Sequence, residues 1–242
     1  MGPSRAHAFV ADLHLPELDP GDRHHLSRVL RLRPGDLLTV GDGVGGWRHC
    51  RFGPALEPVG EITVDPRPAP AVAVAFALVK GERPEWAVQK LTELGVDRIV
   101  AFTAARSVVR WDSDKAAKAT ERLGKVAREA AMQCRRTWLP VVETPTTFAE
   151  VAARRGAVLT DADGDPPWLT AGPVLVGPEG GWDPDERSVV DPAGRPLPRM
   201  TLGPHVLRSE TAAVATAALL GALRAGTVAR VPGAGRNDPG GR

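Results

Sequence analysis

Val174-Leu-Val-Gly-Pro-Glu-Gly-Gly181 is a short, continuous apolar run that breaks at once into a glycine loop. It reads as a buried strand delivering backbone N–H groups to a ligand, as strands of α/β sheets do at their carboxyl ends. The Gly-Lys-Ser/Thr needed to hold phosphate and metal is absent, and the spacing is not that of a dinucleotide fingerprint. Asp183 is placed to cap the next helix, with Pro184 at its first position and Glu186 set for a capping box. The loop therefore stands apart from the positive helix end, which favours a neutral or cationic ligand over an anion. A plain Gly-Pro turn with Glu179 exposed fits the same residues.

Outward from this loop, strands and helices alternate. Strands are expected at Val72 to Val79, Arg98 to Thr103, Val141 to Glu143, Ala157 to Thr160 and Pro173 to Val176. Helices are expected at Pro84 to Leu94, Asp114 to Cys134, Phe148 to Arg154, Pro184 to Val190 and Ser209 to Arg224. That order predicts a mostly parallel sheet with helices on both faces. The first 68 residues differ: short strands at Ala8 to Val10, Asp36 to Val40, Trp47 to Phe52 and Glu61 to Val64, with one helix over Asp22 to Leu32, suggest a small β-barrel or sandwich. Asp65-Pro-Arg-Pro-Ala-Pro70 is a stiff connector, so domains of 1–68 and 71–226 are expected, with 227–242 reading as a disordered tail.

The 242 residues are 43% hydrophobic and 25% charged, values of a globular chain able to bury a core. Cys50 and Cys134 make neither a disulfide framework nor a zinc site. His24 and His25 point about 100° apart on their helix, so no metal site is expected. No run of 18 apolar residues appears, and the chain is read as cytoplasmic, with no membrane partner.

The net charge of +2 conceals a gradient. Residues 98–136 hold 10 basic groups against 4 acidic. On the helix Asp114 to Cys134, Lys115, Lys118, Arg122 and Lys125 share an arc beside an apolar stripe of Leu123, Val126, Ala127 and Ala130. Either a solvated helix face or a nucleic-acid surface fits such a stripe, and the flanking arginines favour the second.

A second loop, Thr201-Leu-Gly-Pro-His-Val-Leu-Arg-Ser-Glu-Thr211, leads into the last helix. Ser209 is placed to cap it, and Glu210 falls in its first turn, where the dipole stabilises a carboxylate by about 0.3–1 kcal/mol. Arg208 puts a positive charge beside a positive helix end, which predicts a partner: an acidic side chain or a phosphate.

Several segments at once resemble the family of 16S ribosomal RNA uridine-N3 methyltransferases, S-adenosylmethionine-dependent enzymes of the trefoil-knotted SPOUT class. They are His25-Leu-Ser-Arg-Val-Leu-Arg31 with Pro34-Gly-Asp36, Lys80-Gly81, Trp86-Ala-Val-Gln-Lys90 with Glu93-Leu-Gly-Val96, and Arg106-Ser107. Glu129-Ala-Ala-Met-Gln-Cys-Arg135, Gly177-Pro-Glu-Gly-Gly181 and Leu207-Arg-Ser-Glu-Thr-Ala212 complete the set, the last two being the specific pair.

The resemblance implies a small PUA-like RNA-binding β-barrel followed by a knotted parallel-sheet domain that forms a homodimer. It implies 16S ribosomal RNA, or the small ribosomal subunit, as partner. Thr160, Val176, Gly177, Pro178, Glu179, Gly180, Gly181, Leu202, Gly203, Val206, Leu207 and Arg208 would then hold S-adenosylmethionine. Arg208 and Glu210 would be catalytic: Arg208 stabilising the uridylate, Glu210 taking its proton or orienting Arg208, with Glu179 the competing base. Arg28, Arg31, Lys80, Gln89, Arg106, Lys118, Arg122, Gln133 and Arg136 would face RNA. The rival readings are a SPOUT enzyme with a different target, such as a ribose 2′-hydroxyl or another base, and a non-catalytic RNA-binding assembly factor.

Overall fold

The computed structural model describes residues 4–79, 81, 83–109 and 111–229. Lys80 and the last part of the expected tail, 230–242, lie outside them. The chain divides into two compact units, one built on 1–68 together with 128–139, the other on 69–127 and 140 onward.

The first unit is a four-stranded sheet in the order β1 (His7–Phe9), β2 (Leu37–Gly41), β3 (Gly46–Arg51), β4 (Glu57–Val64). β1 runs parallel to β2, and the other pairs are antiparallel. Asp42 shapes the β2–β3 turn: its Oδ1 accepts from the N–H groups of Val44 at 2.8 Å and Gly46 at 3.0 Å. Helix α1 (Pro20–His24) starts two residues earlier than expected, because Asp19 caps it and Pro20 takes its first position. It continues as a wider π turn over His25–Val29. The expected extension to Leu32 fails at Arg31, whose φ of 55° is left-handed. Leu26 packs inward onto Leu38, Val40 and Cys50.

The sequence boundary assigned residues 128–139 to the second domain, and the structure corrects this. Arg128 is ion-paired to Asp22 at 2.5 Å and donates to the Phe9 carbonyl at 3.2 Å, while Met132 packs on the first unit's core. Trp138 Nε1 donates to the Asp65 carbonyl at 3.1 Å, and its ring fills the space where a Gly45 side chain would sit. These contacts join residues far apart in the chain, which no local periodicity encodes.

The second unit is a six-stranded parallel sheet ordered β10 (Arg199–Met200), β8 (Val158–Asp165), β9 (Val174–Val176), β5 (Ala73–Ala77), β6 (Arg98–Thr103), β7 (Val141–Thr147). Alternation along β5 feeds two cores. Val74, Phe76 and Leu78 pack with α2 (Arg83–Glu93) and α6 (Ser209–Arg224), while Ala75 and Ala77 pack with Phe148 and Val151 of α4 (Phe148–Ala152). The parallel sheet and its two helical layers match the expected α/β class. α3 (Ser113–Cys134) buries Leu123 and Ala127 against the first of these cores. α5 is shorter than expected, Pro184–Arg187, and β8 longer. The two-residue β10 was not foreseen; it reaches β8 at Gly164, where a side chain would strike the Met200 backbone.

α6 runs its full expected length. Its small residues let the helix lie close, with the Leu94 carbonyl 2.9 Å from where a Gly221 side chain would begin. Its last turn is anchored by Arg224, which is ion-paired to the buried Asp97 and donates to the Gly95 carbonyl at 2.7 Å. Asp97 also accepts from the Val72 N–H at 2.9 Å, tying this end of α6 to the edge where β5 and β6 begin. Among the described residues no helix is long and apolar enough to cross a membrane, and no cluster of metal-ligating side chains occurs.

One buried group in the first unit gives a pH dependence. His7 is 4% exposed, with Nδ1 2.8 Å from Thr39 Oγ1 and Nε2 buried without a partner. Burial, and after it the Arg135 charge, pushes this imidazole down to about 4. The unfolded chain takes up the proton near pH 6.5 and the native chain refuses it until about pH 4, so stability is lost as pH falls through that window, by up to about 1.4 kcal/mol per unit. Urea unfolding at pH 6.5 and 5 should show a drop of about 1.6 kcal/mol that His7→Gln lacks; equal drops in both proteins would contradict it.

Candidate functional site

Three loops at the carboxyl side of the second unit's sheet enclose a cleft of about 470 Å³, within the range of small-molecule sites. The first follows Thr160 within β8, the second is Gly177–Gly181 after β9, and the third is Leu202–Leu207 before α6. The first two are tied by Trp182. Its indole Nε1 donates to the Thr160 carbonyl at 2.7 Å, and its ring lies parallel to Phe102 at 6.2 Å and beside Phe148 at 5.5 Å. Gly177 faces that indole, with its missing Cβ position 3.0 Å from the ring. Thr160 Oγ1 donates to the Leu175 carbonyl at 3.1 Å, fixing β8 against β9 just below the loop.

The second loop closes with the Gly181 N–H on the Pro178 carbonyl at 2.9 Å, and Gly181 takes a φ of 72° that suits glycine. The expected cap of α5 is present: Asp183 Oδ1 accepts from Asp185 N–H at 3.1 Å, and Glu186 Oε2 accepts from Asp183 N–H at 3.2 Å. Glu186 also has a role not foreseen. Its other oxygen accepts from the Ala105 N–H at 2.7 Å, which brings the loop after β6 alongside, where Arg106 donates to the Gly180 carbonyl at 2.9 Å.

Of the residues expected to hold a ligand, Thr160, Val176, Gly177, Pro178, Glu179, Gly181, Leu202, Gly203, Val206 and Leu207 line the cleft. Gly180 and Arg208 do not. Asp161 and Asp163 also line it, gripped by Arg187 at 2.7 and 2.6 Å. Burial alone would raise the Asp161 carboxyl, but hydrogen bonds from Arg187 and the Asp163 N–H hold it below its ordinary value. The signal for this clamp was the i, i+2 spacing of the two acids on one strand face.

The start of α6 departs from expectation. Arg208, not Ser209, occupies the cap position, in extended conformation and with no side-chain cap bond. Ser209 is thereby the first helical residue; it is 2% exposed, lines the cleft, and its hydroxyl is buried without a hydrogen-bond partner. The Arg208 side chain is exposed and has no hydrogen-bond or ion-pair partner among the described residues, so the acidic partner allowed for in the sequence is absent there. Glu210 is 12% exposed. Its Oε1 lies 3.8 Å from Arg83 Nε, and its Oε2 is buried without a hydrogen-bond partner. Arg83 Nη1 also holds Glu179 Oε1 at 2.5 Å. Glu210 is thus matched to Arg83 rather than to Arg208.

The basic candidates sort by unit. In the second, Gln89 and Lys118 are exposed, and Arg122 is exposed but paired to Glu85 at 2.7 Å. In the first, Arg28, Arg31 and Gln133 are exposed and Arg136 is half-buried. The basic stripe of α3 is therefore an outward face, partly neutralised at Arg122.

Residues 66–221 match the RNA methyltransferase domain family, and residues 18–53 match the RNA methyltransferase PUA domain. The chain is 37% identical over 227 residues to the ribosomal RNA small subunit methyltransferase E of Mycobacterium bovis, across 85% of this chain and 86% of that protein. It is 32% identical over 213 residues to the protein of the same name from Bacillus subtilis, across 78% and 82%. The crystal structure of a ribosomal RNA small subunit methyltransferase E from Neisseria gonorrhoeae bound to S-adenosyl methionine is similar with a TM-score of 0.75 at 25% identity, covering 90% of this chain and 97% of that one.

Gly177→Ala should test how tightly the loops are fixed. The new methyl group would push on an indole already stacked and hydrogen-bonded, so thermal unfolding should show a loss of about 1–3 kcal/mol. A variant as stable as the wild type would show that the ring can give way.

Proposed function

The chain belongs to the RNA methyltransferase domain family, and from that premise we propose that it transfers the methyl group of S-adenosylmethionine to N3 of a specific uridine in 16S ribosomal RNA. The observation that carries the reading is the cleft with the buried, unpartnered Ser209 hydroxyl in its wall. A buried polar group left unmatched is costly, which makes a bound ligand its natural partner. The donor set fits the molecule. The lining residues Gly177, Pro178, Glu179, Gly181 and Leu202 to Leu207 offer backbone groups to a polar, net non-anionic ligand, Val176, Leu202 and Leu207 supply apolar walls, and Asp161, Asp163 and Glu179 add acceptors. When bound, S-adenosylmethionine supplies an electrophilic methyl group on a cationic sulfur.

The residues of the chain then have a definite task. Uracil N3 must lose its proton and be aligned behind the methyl carbon; such positioning supplies about 7–11 kcal/mol. Negative charge left on O2 and O4 needs a cation, and the unpartnered Arg208, between cleft residues Leu207 and Ser209, provides it. The N3 proton passes to a carboxylate, Glu210 with its unpartnered Oε2 or Glu179 at the cleft wall. RNA is received by Arg28, Arg31, Gln89, Arg106, Lys118, Arg122, Gln133 and Arg136, and extrusion of the base from its stack brings it to the pocket. In this reading the second unit is a trefoil knot of the SPOUT class, the enzyme works as a homodimer in the cytoplasm, and the naked RNA or the small subunit is its substrate.

Incubation of small ribosomal subunits and naked RNA with labelled donor, followed by nucleoside digestion, should yield N3-methyluridine. Arg208→Ala should lower kcat by about 10²–10³, with donor affinity by calorimetry within about threefold of wild type. Label on a ribose or another base, or unchanged turnover in Arg208→Ala, would contradict the assignment.

A further inference from the structure

We infer that Arg83 is a positioning residue which holds Glu179 and Glu210 together as one acid–base unit beside the methyl-donor cleft. The inference rests on the proposed role of these two carboxylates in taking the uracil proton.

Arg83 is the first residue of α2, where a cation sits against the positive end of the helix and gains nothing from it. Its placement is explained by what it touches. Nη1 lies 2.5 Å from Glu179 Oε1 in the loop after β9, and Nε lies 3.8 Å from Glu210 Oε1 in the first turn of α6. One guanidinium thus spans two segments that the chain brings together from far apart. Two carboxylates drawn to one cation repel each other, and the guanidinium offsets that repulsion: it is hydrogen-bonded to Glu179, whose orientation it fixes, and stands in charge contact with Glu210.

The neighbouring charges leave Arg83 to this task. Glu85, two residues on in α2, is paired to Arg122 at 2.7 Å. Arg106 is engaged with the Gly180 carbonyl and stands 3.9 Å from Asp183. Arg208 has no partner among the described residues. The two glutamates are unequal: Glu179 is half-exposed, whereas Glu210 is 12% exposed and keeps Oε2 buried with no hydrogen-bond partner. An ion pair as exposed as that with Glu179 contributes little to stability, so its value is geometric. Without Arg83 the Glu179 side chain is free to swing into solvent, and Glu210 loses the cation beside its Oε1 while its Oε2 stays buried without a hydrogen-bond partner.

The full-length chain, with small ribosomal subunits and S-adenosylmethionine, gives the test. Arg83→Ala should lower kcat at least about 30-fold while the donor dissociation constant and the KM for RNA stay within about threefold. Arg83→Lys should recover most of the loss, as should millimolar guanidinium added to Arg83→Ala, measured against sodium chloride of equal ionic strength. Turnover of Arg83→Ala close to wild type would overturn the inference. So would a fall in donor affinity that tracks kcat, because Arg83 would then merely shape the cleft. Should Arg83→Ala not fold, Arg83→Gln takes its place: a kcat at least about 30-fold down with donor binding intact supports the inference, whereas kcat near wild type or loss of donor binding overturns it. Glu179→Gln and Glu210→Gln, run alongside, separate the two ideas. If neither slows turnover, the acid–base reading itself fails; if either does while Arg83→Ala does not, only the positioning role fails.

Discussion

The cleft depends on one indole. Trp182 stacks against Phe102 and Phe148 and donates to the Thr160 carbonyl, so a ring rooted in the core carries the position of β8 directly to the glycine loop after β9. Aromatic stacking and a satisfied N–H together make such a side chain hard to displace. Gly177 is the complementary constraint, since the loop passes the ring too closely for a side chain. The third loop is held differently. It is strung between β10, paired to β8, and α6, whose far end is locked by Arg224 on Asp97. A ligand therefore meets walls set before it arrives, which limits the ordering cost of binding.

Around this frame, charge is largely arranged in pairs. Arg187 takes Asp161 and Asp163, Arg122 takes Glu85, and Arg83 takes Glu179 with Glu210 alongside. Among the described residues, Arg208 has no side-chain partner and the second oxygen of Glu210 no hydrogen-bond partner, and the two stand two residues apart at the start of α6. Unmatched groups at a cleft are where chemistry is expected, because a folded chain otherwise satisfies its polar atoms.

Local signals in the sequence were reliable wherever the physics is local. The apolar run and glycine loop at Val174–Gly181 located one wall of the cleft, Asp183-Pro-Asp-Glu186 marked a helix start that the structure reproduces, and the helix expected over Ser209 to Arg224 is the span of α6. The misreadings share a cause. Whether Arg208 or Ser209 caps α6 depends on how the preceding loop enters the helix, which composition does not reveal. Residues 128–139 were read into the second domain because the helix that begins at Ser113 runs on through Cys134, yet Asp22, Asp65 and the Phe9 carbonyl claim them for the first unit. Arg83 and Trp182 were passed over for the same reason: each acts on residues distant in the chain, so neither carries a neighbouring pattern that marks its task.

The most direct measurement is methyl NMR of the full chain, labelled at valine and leucine, during titration with S-adenosylmethionine. Val176, Leu202, Val206 and Leu207 should shift and saturate together, while Leu38, Val40 and Leu56 in the first unit's sheet stay fixed. Shifts confined to the first unit, or no saturable shift at the four cleft residues, would contradict a methyl donor bound where the three loops meet.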